Sequence, residues 1–447
     1  MTIWLLLCIA LPSQAPAAAA TPSNAVPASP TVSATDSKPA AVPAAPTPTE
    51  LEGEIRRLIR NLDAAERDLR DMAERDLRQL GPRILGLLPP VTARTSAETK
   101  VRLERVRKAL ETELAAQTAQ ASRMTLAGEL PFRDVVTALV TQSNNPISGY
   151  ETLETPVKVA WKELSFWQAL DDLLDQVGLT VDPLGGQAGT LVLRARPETQ
   201  AKRAARAVYV GPFRLEPIRL SARRDLQDNS VSALAITLSV AWEPRLKPIS
   251  LRLALQDLTL TDDLEQTLLP TGNQTGVLTP LIESDFTGTD LELRVALPDR
   301  KAQQLRSLRG TFTAVIPGDT HEFTFTDLAQ ARETEQRHAG VAVVYEGMRK
   351  NGDLYDLRIR LRFDEAAGAL QSHLGWISKN EAFIRTADGA KLDNLGLTQR
   401  ARRENEVGFS YLFDMTKGPS GCSFVYQTPS LLVQVPITFE LRDLPLP

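Results

Sequence analysis

Cysteine and histidine, the residues that most often carry catalysis or bind metals, are scarce in this chain. Its 447 residues include two cysteines and three histidines. Cys8 lies in an N-terminal apolar run, so Cys422 would be the one thiol of an exported, processed chain, which could then form no internal disulfide. We interpret Cys422 as a small buried side chain because no histidine lies near it in sequence. His321, His338 and His373 lie in separate segments without metal-ligand spacing, so we interpret each as a surface or capping residue.

Short catalytic and cofactor motifs are also missing. The sequence contains no H-E-x-x-H, C-x-x-C, P-loop, G-x-S-x-G or EF-hand loop. The glycine-rich stretch 185–189 does not open a helix, which favours a hairpin turn over a phosphate-binding loop. Two acidic groups are interpreted as solvated faces or turns rather than general acids and bases: Asp171, Asp172 and Asp175, and Asp262, Asp263 and Glu265. The sequence therefore predicts a protein that is not an enzyme and that has no cofactor or metal.

An excess of charge of one sign is absent as well. The 51 basic and 55 acidic residues leave a net charge of −4, which provides no field for holding a polyanion. We therefore expect no nucleic-acid partner. No apolar run reaches the ~20 residues that a membrane-spanning helix needs, so no transmembrane segment is expected either.

The N-terminal residues have the pattern of an exported protein. Residues 1–20 carry no charged side chain, and the apolar run 3–11 leads into small residues, which is typical of a signal peptide. Residues 21–49 consist mostly of Ala, Pro, Thr, Ser and Val, which predicts a disordered linker. We expect the mature chain to be periplasmic or associated with the cell envelope, with secretion into the medium as the alternative.

Helical periodicity dominates residues 50–121. Apolar residues recur every three or four positions, with breaks expected at Gly81-Pro82 and Pro89-Pro90. The run from Ala73 to Pro82, with the apolar residues of 84–88 behind it, resembles a HEAT-type helical repeat, a family whose solenoid surfaces bind proteins. One such unit cannot bury a continuous core by itself. We therefore predict a short helical segment that caps a neighbouring domain.

Residues 122–198 alternate between strand and helix patterns. One helix is expected to start at Pro131, a favoured residue of the first turn. After a strand, Ser165 is expected to cap a second helix that ends at Gly178. A hairpin over residues 179–193 completes the pattern. These elements predict a small two-layer α/β domain.

The succession of these elements resembles the short N-terminal domain of secretins and TonB-dependent receptors. The matching residues are Leu130-Pro131-Phe132-Arg133-Asp134-Val135-Val136, Thr155-Pro156-Val157, Glu163-Leu164-Ser165-Phe166-Trp167 and Val177-Gly178-Leu179-Thr180-Val181. In that family the domain lies in the periplasm and contacts protein partners or neighbouring subunits, and it has no catalytic residues. The resemblance therefore implies a small module that binds protein.

Period-two alternation of apolar and polar residues characterises the rest of the chain, as in Ile236–Trp242. This pattern predicts antiparallel sheets with one buried face. The segment His321–Leu328 is echoed by Ile437–Leu444, which indicates a weak internal repeat. We therefore predict two tandem antiparallel β-sandwich domains, residues 207–329 and 336–447, which resemble immunoglobulin-like modules in pattern.

One strand of the second predicted sandwich carries a row of arginines. Arg358, Arg360 and Arg362 alternate with apolar residues and therefore project from one face of the strand. Three guanidinium groups in a row could receive the carboxylates or phosphates of an anionic partner, such as an anionic glycan. The alternative is a solvated strand face that is balanced by cross-strand acids such as Glu404 or Glu406.

The sequence as a whole predicts a multi-domain α+β protein with a helical segment, a small α/β domain and two β-sandwiches. Its expected function is non-enzymatic: an exported component of the cell envelope that binds an unidentified protein partner or acts as a scaffold. One alternative is an enzyme whose site is assembled from loops of the sandwiches. A deep pocket lined by converging acids or histidines would favour this alternative. The other is a carbohydrate-binding protein, which would need exposed, coplanar rings of residues such as Trp242 and Trp376.

Overall fold

Helices occupy the N-terminal part of the structure, and strands dominate the C-terminal part. The computed structural model describes residues 48–89, 95–185, 189–200, 202, 206–228, 231–271, 276–283, 285–318, 320–366, 368–371, 374–416 and 418–447. About 22% of the chain is helix and 44% is strand, which confirms the expected mixed α+β, multi-domain fold. The expected signal peptide, 1–20, and the expected linker as far as residue 47 lie outside the described residues, as does His373. Among the helices of the described part, none is both long and apolar enough to cross a membrane.

Three α-helices and a 3-10 helix form the N-terminal segment. Their bounds are Pro48–Asn61 for α1, Arg67–Gln79 for α2, Pro82–Leu87 for the 3-10 helix and Ala97–Thr118 for α3. Gly81, at φ 75°, turns the chain after α2 at one of the two expected breaks. Apolar side chains of these helices form a core of their own, which includes Leu58, Leu77, Val106 and Leu110.

Residues 123–195 form a two-layer α/β module. Its elements are β1 (Arg123–Pro131), α4 (Phe132–Ser143), β2 (Ile147–Ser148), β3 (Pro156–Ser165), α5 (Phe166–Val177), β4 (Leu179–Asp182) and β5 (Leu191–Ala195). β1 and β3 form one antiparallel pair. In the other sheet β5 lies between β2, to which it is parallel, and β4, to which it is antiparallel.

Both expected helices of the module are present. Pro131 is the N-cap of α4, so the helix begins one residue later than predicted. α5 begins with a capping box between Ser165 and Gln168 and ends at Gly178, which has a φ of 68°. The buried faces of both helices, with Phe132 and Phe166 fully enclosed, pack in one core with β1, β3, β4 and β5.

The first β-sandwich consists mainly of residues 208–317. Its strands in this range are β6 (Val208–Val210), β7 (Phe213–Arg223), β8 (Ala233–Trp242), β9 (Ser250–Ala254), β10 (Thr259–Asp262), β11 (Val277–Leu278), β12 (Gly288–Val295) and β13 (Gln304–Pro317). One sheet has the order β12-β8-β7-β6, and the other has the order β10-β13-β9-β11. Side chains from both sheets, such as Leu238 and Phe312, form the core.

The second β-sandwich consists of residues 320–429. Its strands are β14 (Thr320–Phe325), β15 (Thr334–His338), β16 (Val341–Asn351), β17 (Leu354–Phe363), β18 (Ala382–Arg385), β19 (Lys391–Asp393), β20 (Gly396–Arg402), β21 (Glu406–Phe413) and β22 (Ser423–Pro429). The sheet orders are β15-β16-β17-β21-β20 and β14-β22-β18-β19. Their facing side chains, among them Ile359 and Tyr426, form a separate core.

The second sandwich, residues 320–429, is inserted between β13 and the last strand of the first sandwich, so the strand pairing departs in two places from the expected division into 207–329 and 336–447. β14 precedes the expected boundary but pairs with β22 in the second sandwich. The last strand, β23 (Leu432–Pro445), returns to the first sandwich and pairs with β13 along its whole length. Alternation shows which face of a strand is buried, but it does not show which sheet the strand joins. The two segments of the weak repeat therefore lie in the opposite sandwiches from those expected.

Candidate functional site

The predicted arginine row lies on β17 and is paired with acids. Arg358, Arg360 and Arg362 do share a face of the sheet, and each forms a salt bridge with N–O distances of 3.2 to 3.6 Å: Arg358 with Asp356, Arg360 with Glu333 and Glu346, and Arg362 with Glu335. The partners differ from the Glu404 and Glu406 that the sequence suggested: Glu335 lies on β15, Glu346 on β16, Glu333 directly before β15 and Asp356 on β17 itself. The geometry corresponds to the balanced strand face that we considered as the alternative.

Two of the three histidines lie against each other, although their spacing in the sequence does not indicate it. The rings of His321 on β14 and His338 on β15 stack in parallel, with centroids 3.7 Å apart and planes inclined by 1°. His338 Nε2 lies 3.2 Å from Oε1 of Glu111, a buried residue on α3. Ser430 Oγ donates to the other oxygen of Glu111 at 3.5 Å. These contacts hold α3 against the second sandwich.

The environment of His321 changes its protonation. Burial, reinforced by the neighbouring His338, lowers the pKa of His321 from 6.5 to about 4. The His321 ring is therefore neutral at pH 7. Within the described ranges, no group of three or more His, Cys, Asp or Glu residues could hold a metal ion. No local motif connects residues 111, 321 and 338, so sequence spacing alone carried no signal for this cluster.

A cleft opens where α3 meets the two sandwiches, and we call it the junction cleft. Its polar end has a volume of about 490 Å³, and the polar side chains that line it are Glu111, Arg245, Lys247, Thr320, Lys379, Asn380, Glu381 and Gln427. Its apolar end has a volume of about 190 Å³ and is lined chiefly by Trp242, Ile249, Ile282, Phe286, Leu374 and Trp376. Lys247 and Lys379 line both ends. Clefts of this size between domains are common positions for ligands.

The acids at the polar end have basic neighbours. Glu111 contacts His338 as described above, and Glu381 Oε2 lies 3.3 Å from Lys391 Nζ. Arg245 forms a salt bridge of 2.7 Å with Glu243, which is completely buried. The cleft wall is thus built from ion pairs, whereas Lys247 extends an exposed side chain into it.

The tryptophans that carbohydrate binding would require are not a pair of exposed rings. Trp242 is only 1% exposed and belongs to the core of the first sandwich. Trp376 is half-buried, packs edge-on against Phe363, and donates its indole N–H to Ala369 O at 2.6 Å. Trp242 therefore has no free face on which a sugar ring could stack.

A buried carboxylate joins the α/β module to the first sandwich. Glu243, at the end of β8, is fully buried and accepts hydrogen bonds from Ser122 N at 2.9 Å, Ser122 Oγ at 2.5 Å and Asn145 Nδ2 at 3.0 Å. Arg245 Nε donates to the same carboxylate at 2.7 Å. We call this the Glu243 network. Its partners come from residues about 100 positions apart in the chain, and the network connects them to the wall of the junction cleft.

A second buried network joins the same two parts. Asp171 on α5 accepts hydrogen bonds from Arg214 Nε at 2.8 Å and from Tyr209 Oη at 2.7 Å. Arg214 also donates to Glu216 at 2.9 Å. Although burial opposes the charge of Arg214, the two carboxylates raise its pKa. Asp171 is 1% exposed, so its interpretation as part of a solvated face is wrong.

Comparisons with known proteins give no family assignment. No protein-family model matches the chain, and no curated protein matches it. A solved structure described as the crystal structure of the conserved domain protein from Bacillus anthracis matches with 9% sequence identity and a TM-score of 0.17. That match covers 53% of this chain and 89% of the other. At this TM-score the likeness carries no argument about fold or function.

Proposed function

We propose that this chain is a non-enzymatic, exported component of the cell envelope that binds a protein partner and holds it in a fixed position. The proposal is supported by the signal-peptide pattern of residues 1–20 and by the resemblance of the α/β module to the short N-terminal domain of secretins and TonB-dependent receptors. In the same proposal the helical segment is a HEAT-like cap and the sandwiches are immunoglobulin-like spacers.

The observation that carries the proposal is the rigid connection between the module and the sandwiches. The Glu243 network and the Asp171–Arg214 pair bury charges at the boundary of the module and the first sandwich. Breaking such pairs leaves an uncompensated buried charge, which strongly disfavours separation of the two parts. Because β23 returns to the first sandwich, the chain passes between the two sandwiches twice, once before β14 and once after β22. A binding module on such a base keeps a fixed orientation, as a scaffold requires.

The surface that we assign to the partner is the outer face of β1 and β3. Alternate residues of the pair, including Ala127, Glu129, Lys158, Ala160 and Lys162, are exposed, whereas Val157, Val159 and Trp161 face the core. Glu129 lies opposite Lys158 in the register, and Ala127 lies opposite Ala160. Small residues flanked by charges give a flat surface on which a protein partner can pack and pair its own charges.

The test is affinity capture from the envelope fraction of the source cells with a tagged full-length chain. The charge-reversed variant Lys158→Glu/Lys162→Glu alters the outer face of the module, and Lys350→Glu, in the β16–β17 hairpin, is the control. We expect mass spectrometry to identify a protein that the wild-type chain and the control retain, and that the double variant loses by about tenfold or more.

Two results would count against the proposal. One is that no envelope protein is retained above the level of an untagged chain. The other is that the double variant and the wild-type chain retain the same proteins in equal amounts. Melting temperatures of the three chains, which differ only at exposed positions, verify that the variants are folded.

A further inference from the structure

We propose that the contact between α3 and the second sandwich is an acid-sensitive latch. It consists of Glu111, His321, His338 and Ser430, and it holds the helical segment in place at neutral pH and releases it when His321 takes up a proton. The outer face of the module takes no part, so this inference is independent of the proposed function. It depends on the polar character of the contact and on the position of the two stacked rings within it.

The helical segment can separate from the second sandwich without opening a core. Its buried apolar side chains, from Ile55 to Leu110, form a core of their own. In the part of the chain that the structure describes, the core of the second sandwich includes no residue of α1, α2 or α3. The latch itself is polar, since Glu111 contacts His338 at 3.2 Å and Ser430 at 3.5 Å. Water can replace such contacts, whereas the separation of a shared core would expose apolar surface.

The other end of α3 is anchored to the first sandwich. Ala119, the first residue after α3, is 7% exposed and belongs to the core of that sandwich. The guanidinium of Arg245 donates a hydrogen bond to the carbonyl oxygen of Gln120. Release of the latch therefore leaves the end of α3 in place, and the helical segment pivots about residues 119–120.

His321 lies where a positive charge is poorly accommodated. His321, Phe323 and Phe325 alternate along β14 on the face that turns inward, and the His321 ring is half-buried. It stacks on His338 at 3.7 Å between ring centroids, and the edge of Phe323 lies 4.9 Å away. A charged imidazolium ring needs water or an acceptor around it, and the stacked arrangement leaves little room for either. The closed latch therefore opposes protonation of His321.

The charged groups around His321 act in both directions. They are Arg107 and Glu111 from α3, His338 from β15, and Glu322 from β14, which pairs with Arg385 of β18 at 2.9 Å. Burial is the largest influence, and the pKa of His321 falls from 6.5 to about 4. Release of α3 removes Arg107 and Glu111, which oppose each other, and gives the ring access to water. The released form therefore binds the proton more readily.

This difference fixes the direction of the response to pH. Between pH 6.5 and about 4 the released form carries more protons than the closed form, so acid favours release and neutral pH favours the closed latch. If release restores about half of the lowered pKa or more, the ratio of released to closed chains rises about tenfold from pH 7 to pH 4.5.

The experiment measures the reactivity of a thiol placed in the latch. Ser430 is 1% exposed, and Ser430→Cys changes its side chain by one atom. Lys350→Cys in the same chain provides an exposed thiol, whose rate of reaction with 4,4′-dithiodipyridine corrects for the effect of pH on the reagent and the thiol. Cys422, in the core of the second sandwich, reports unfolding of that sandwich. Peptide mass spectrometry gives the three rates separately.

We expect the rate at position 430, relative to that at position 350, to rise about tenfold between pH 7 and pH 4.5. The relative rate at Cys422 should stay constant, because the sandwich remains folded. Addition of His321→Gln should reduce the rise to less than about threefold, since a glutamine side chain is neutral at both pH values.

A second pair of variants tests whether Glu111 holds the latch closed. Glu111→Gln weakens the contact with His338, so the relative rate at position 430 should rise about fivefold at pH 7. Glu113→Gln is the matched control on the same helix, because Glu113 is exposed and hydrogen-bonds to Gln117. It should leave the rate unchanged.

The proposal is overturned if the relative rate at position 430 is the same at pH 7 and pH 4.5, or if it rises equally with and without His321→Gln. It is also overturned if Cys422 becomes reactive in parallel, because acid would then unfold the second sandwich instead of releasing α3. A thiol at position 430 that reacts at pH 7 as fast as the one at position 350 would show that no closed latch exists at neutral pH.

Discussion

His321 illustrates how three-dimensional contacts set the chemistry of a single residue. Its ring stacks on His338, which in turn contacts Glu111 of α3, and Arg107 and Glu322 also lie close enough to affect its charge. Burial is the largest cause of its lowered pKa, followed by the electrostatic effect of His338. Arg107 acts in the same direction, whereas Glu111 and Glu322 oppose it. The folded chain therefore keeps this ring neutral over a range of pH in which the unfolded chain does not.

The free energy of unfolding should fall as the pH decreases from 6.5 to about 4. The folded pKa of His321 is about 4 against 6.5 for an unperturbed ring, so between these values the unfolded state binds more protons and is favoured. After allowance for the partial exposure of the ring, the loss is on the order of 2 kcal/mol. Urea unfolding of the wild-type chain and of His321→Gln at pH 7 and pH 4.5 measures it.

The comparison of the two chains isolates His321 from the other titrating groups. The wild-type chain should lose more stability between the two pH values than His321→Gln does, and the difference should equal the contribution of this ring. If the free energy of unfolding falls by the same amount in both chains, folding does not lower the pKa of His321.

At the level of elements, the positive charges of the arginine row on β17 are paired with nearby acids. The sequence correctly placed Arg358, Arg360 and Arg362 on one face, but it could not show that β15 and β16 bring acids to that face. Exposed ion pairs of this kind stabilise a protein by about 0–1 kcal/mol each. The row then contributes to the stability of the sheet and offers little net charge to an anionic partner.

Replacing all three arginines by glutamine should therefore leave binding to an anionic glycan unchanged. The expected result is that Arg358→Gln/Arg360→Gln/Arg362→Gln elutes from heparin at the same salt concentration as the wild-type chain. Its free energy of unfolding should be lower by about 1–2 kcal/mol, since the four ion pairs of these arginines are lost. Earlier elution with an unchanged melting temperature would instead support the row as a binding site.

The last strand, β23, should support the first sandwich and not the second. Phe439 is 2% exposed in the core of the first sandwich, and its ring stacks on Phe312 with centroids 5.2 Å apart. Phe439→Ala should lower the free energy of unfolding by about 3–5 kcal/mol. Hydrogen exchange should become faster in β9 and β13, which lie in the same sheet.

The tandem arrangement that the sequence suggested makes the opposite prediction for this variant. In that arrangement β23 belongs to the second sandwich, so the hydrogen exchange of Phe439→Ala would become faster in β16, β17 and β21. An increase in hydrogen exchange confined to those strands would contradict the pairing of β23 with β13 in the first sandwich. Phe323→Ala on β14 is the matched variant, since its side chain lies in the core of the second sandwich.

On the scale of the whole molecule, the two buried networks unite the module and the first sandwich. Glu243→Ala removes a fully buried carboxylate and leaves the donors of Ser122, Asn145 and Arg245 without their acceptor. We expect a loss of about 3 kcal/mol, because buried donors without a partner and a partly buried charge without its counter-ion are both costly. Urea unfolding followed by tryptophan fluorescence measures this loss.

The control for this prediction is an ion pair of the same residue types on the surface. Glu292→Ala breaks the exposed pair with Arg294 and should cost less than about 1 kcal/mol. If Glu243→Ala costs no more than Glu292→Ala, the Glu243 network does not join the two parts. A transition that splits into two steps in Glu243→Ala would show that the module unfolds separately once the network is broken.

Local patterns in the sequence determined the elements of this protein. The capping box at Ser165, the end of α5 at Gly178 and the alternation along β8 and β17 each follow from interactions within a few residues. Not every apolar residue of the helical pattern is buried, since Leu69, Met72 and Val101 are 43%, 49% and 52% exposed. The helical segment has more apolar side chains than the elements packed against it cover.

Tertiary structure alone decided how the elements combine. The pairing of β14 with β22 and of β23 with β13, the Glu243 network and the His321–His338 stack all join residues that are distant in the chain, and the junction cleft exists because three segments meet. Such contacts depend on which buried surfaces fit one another, and a period-two or helical pattern specifies a buried face without specifying its partner. The sequence by itself therefore determined the mixed α+β class and the arginine face, whereas the return of β23 to the first sandwich, the paired acids and the cleft followed only from the folded chain.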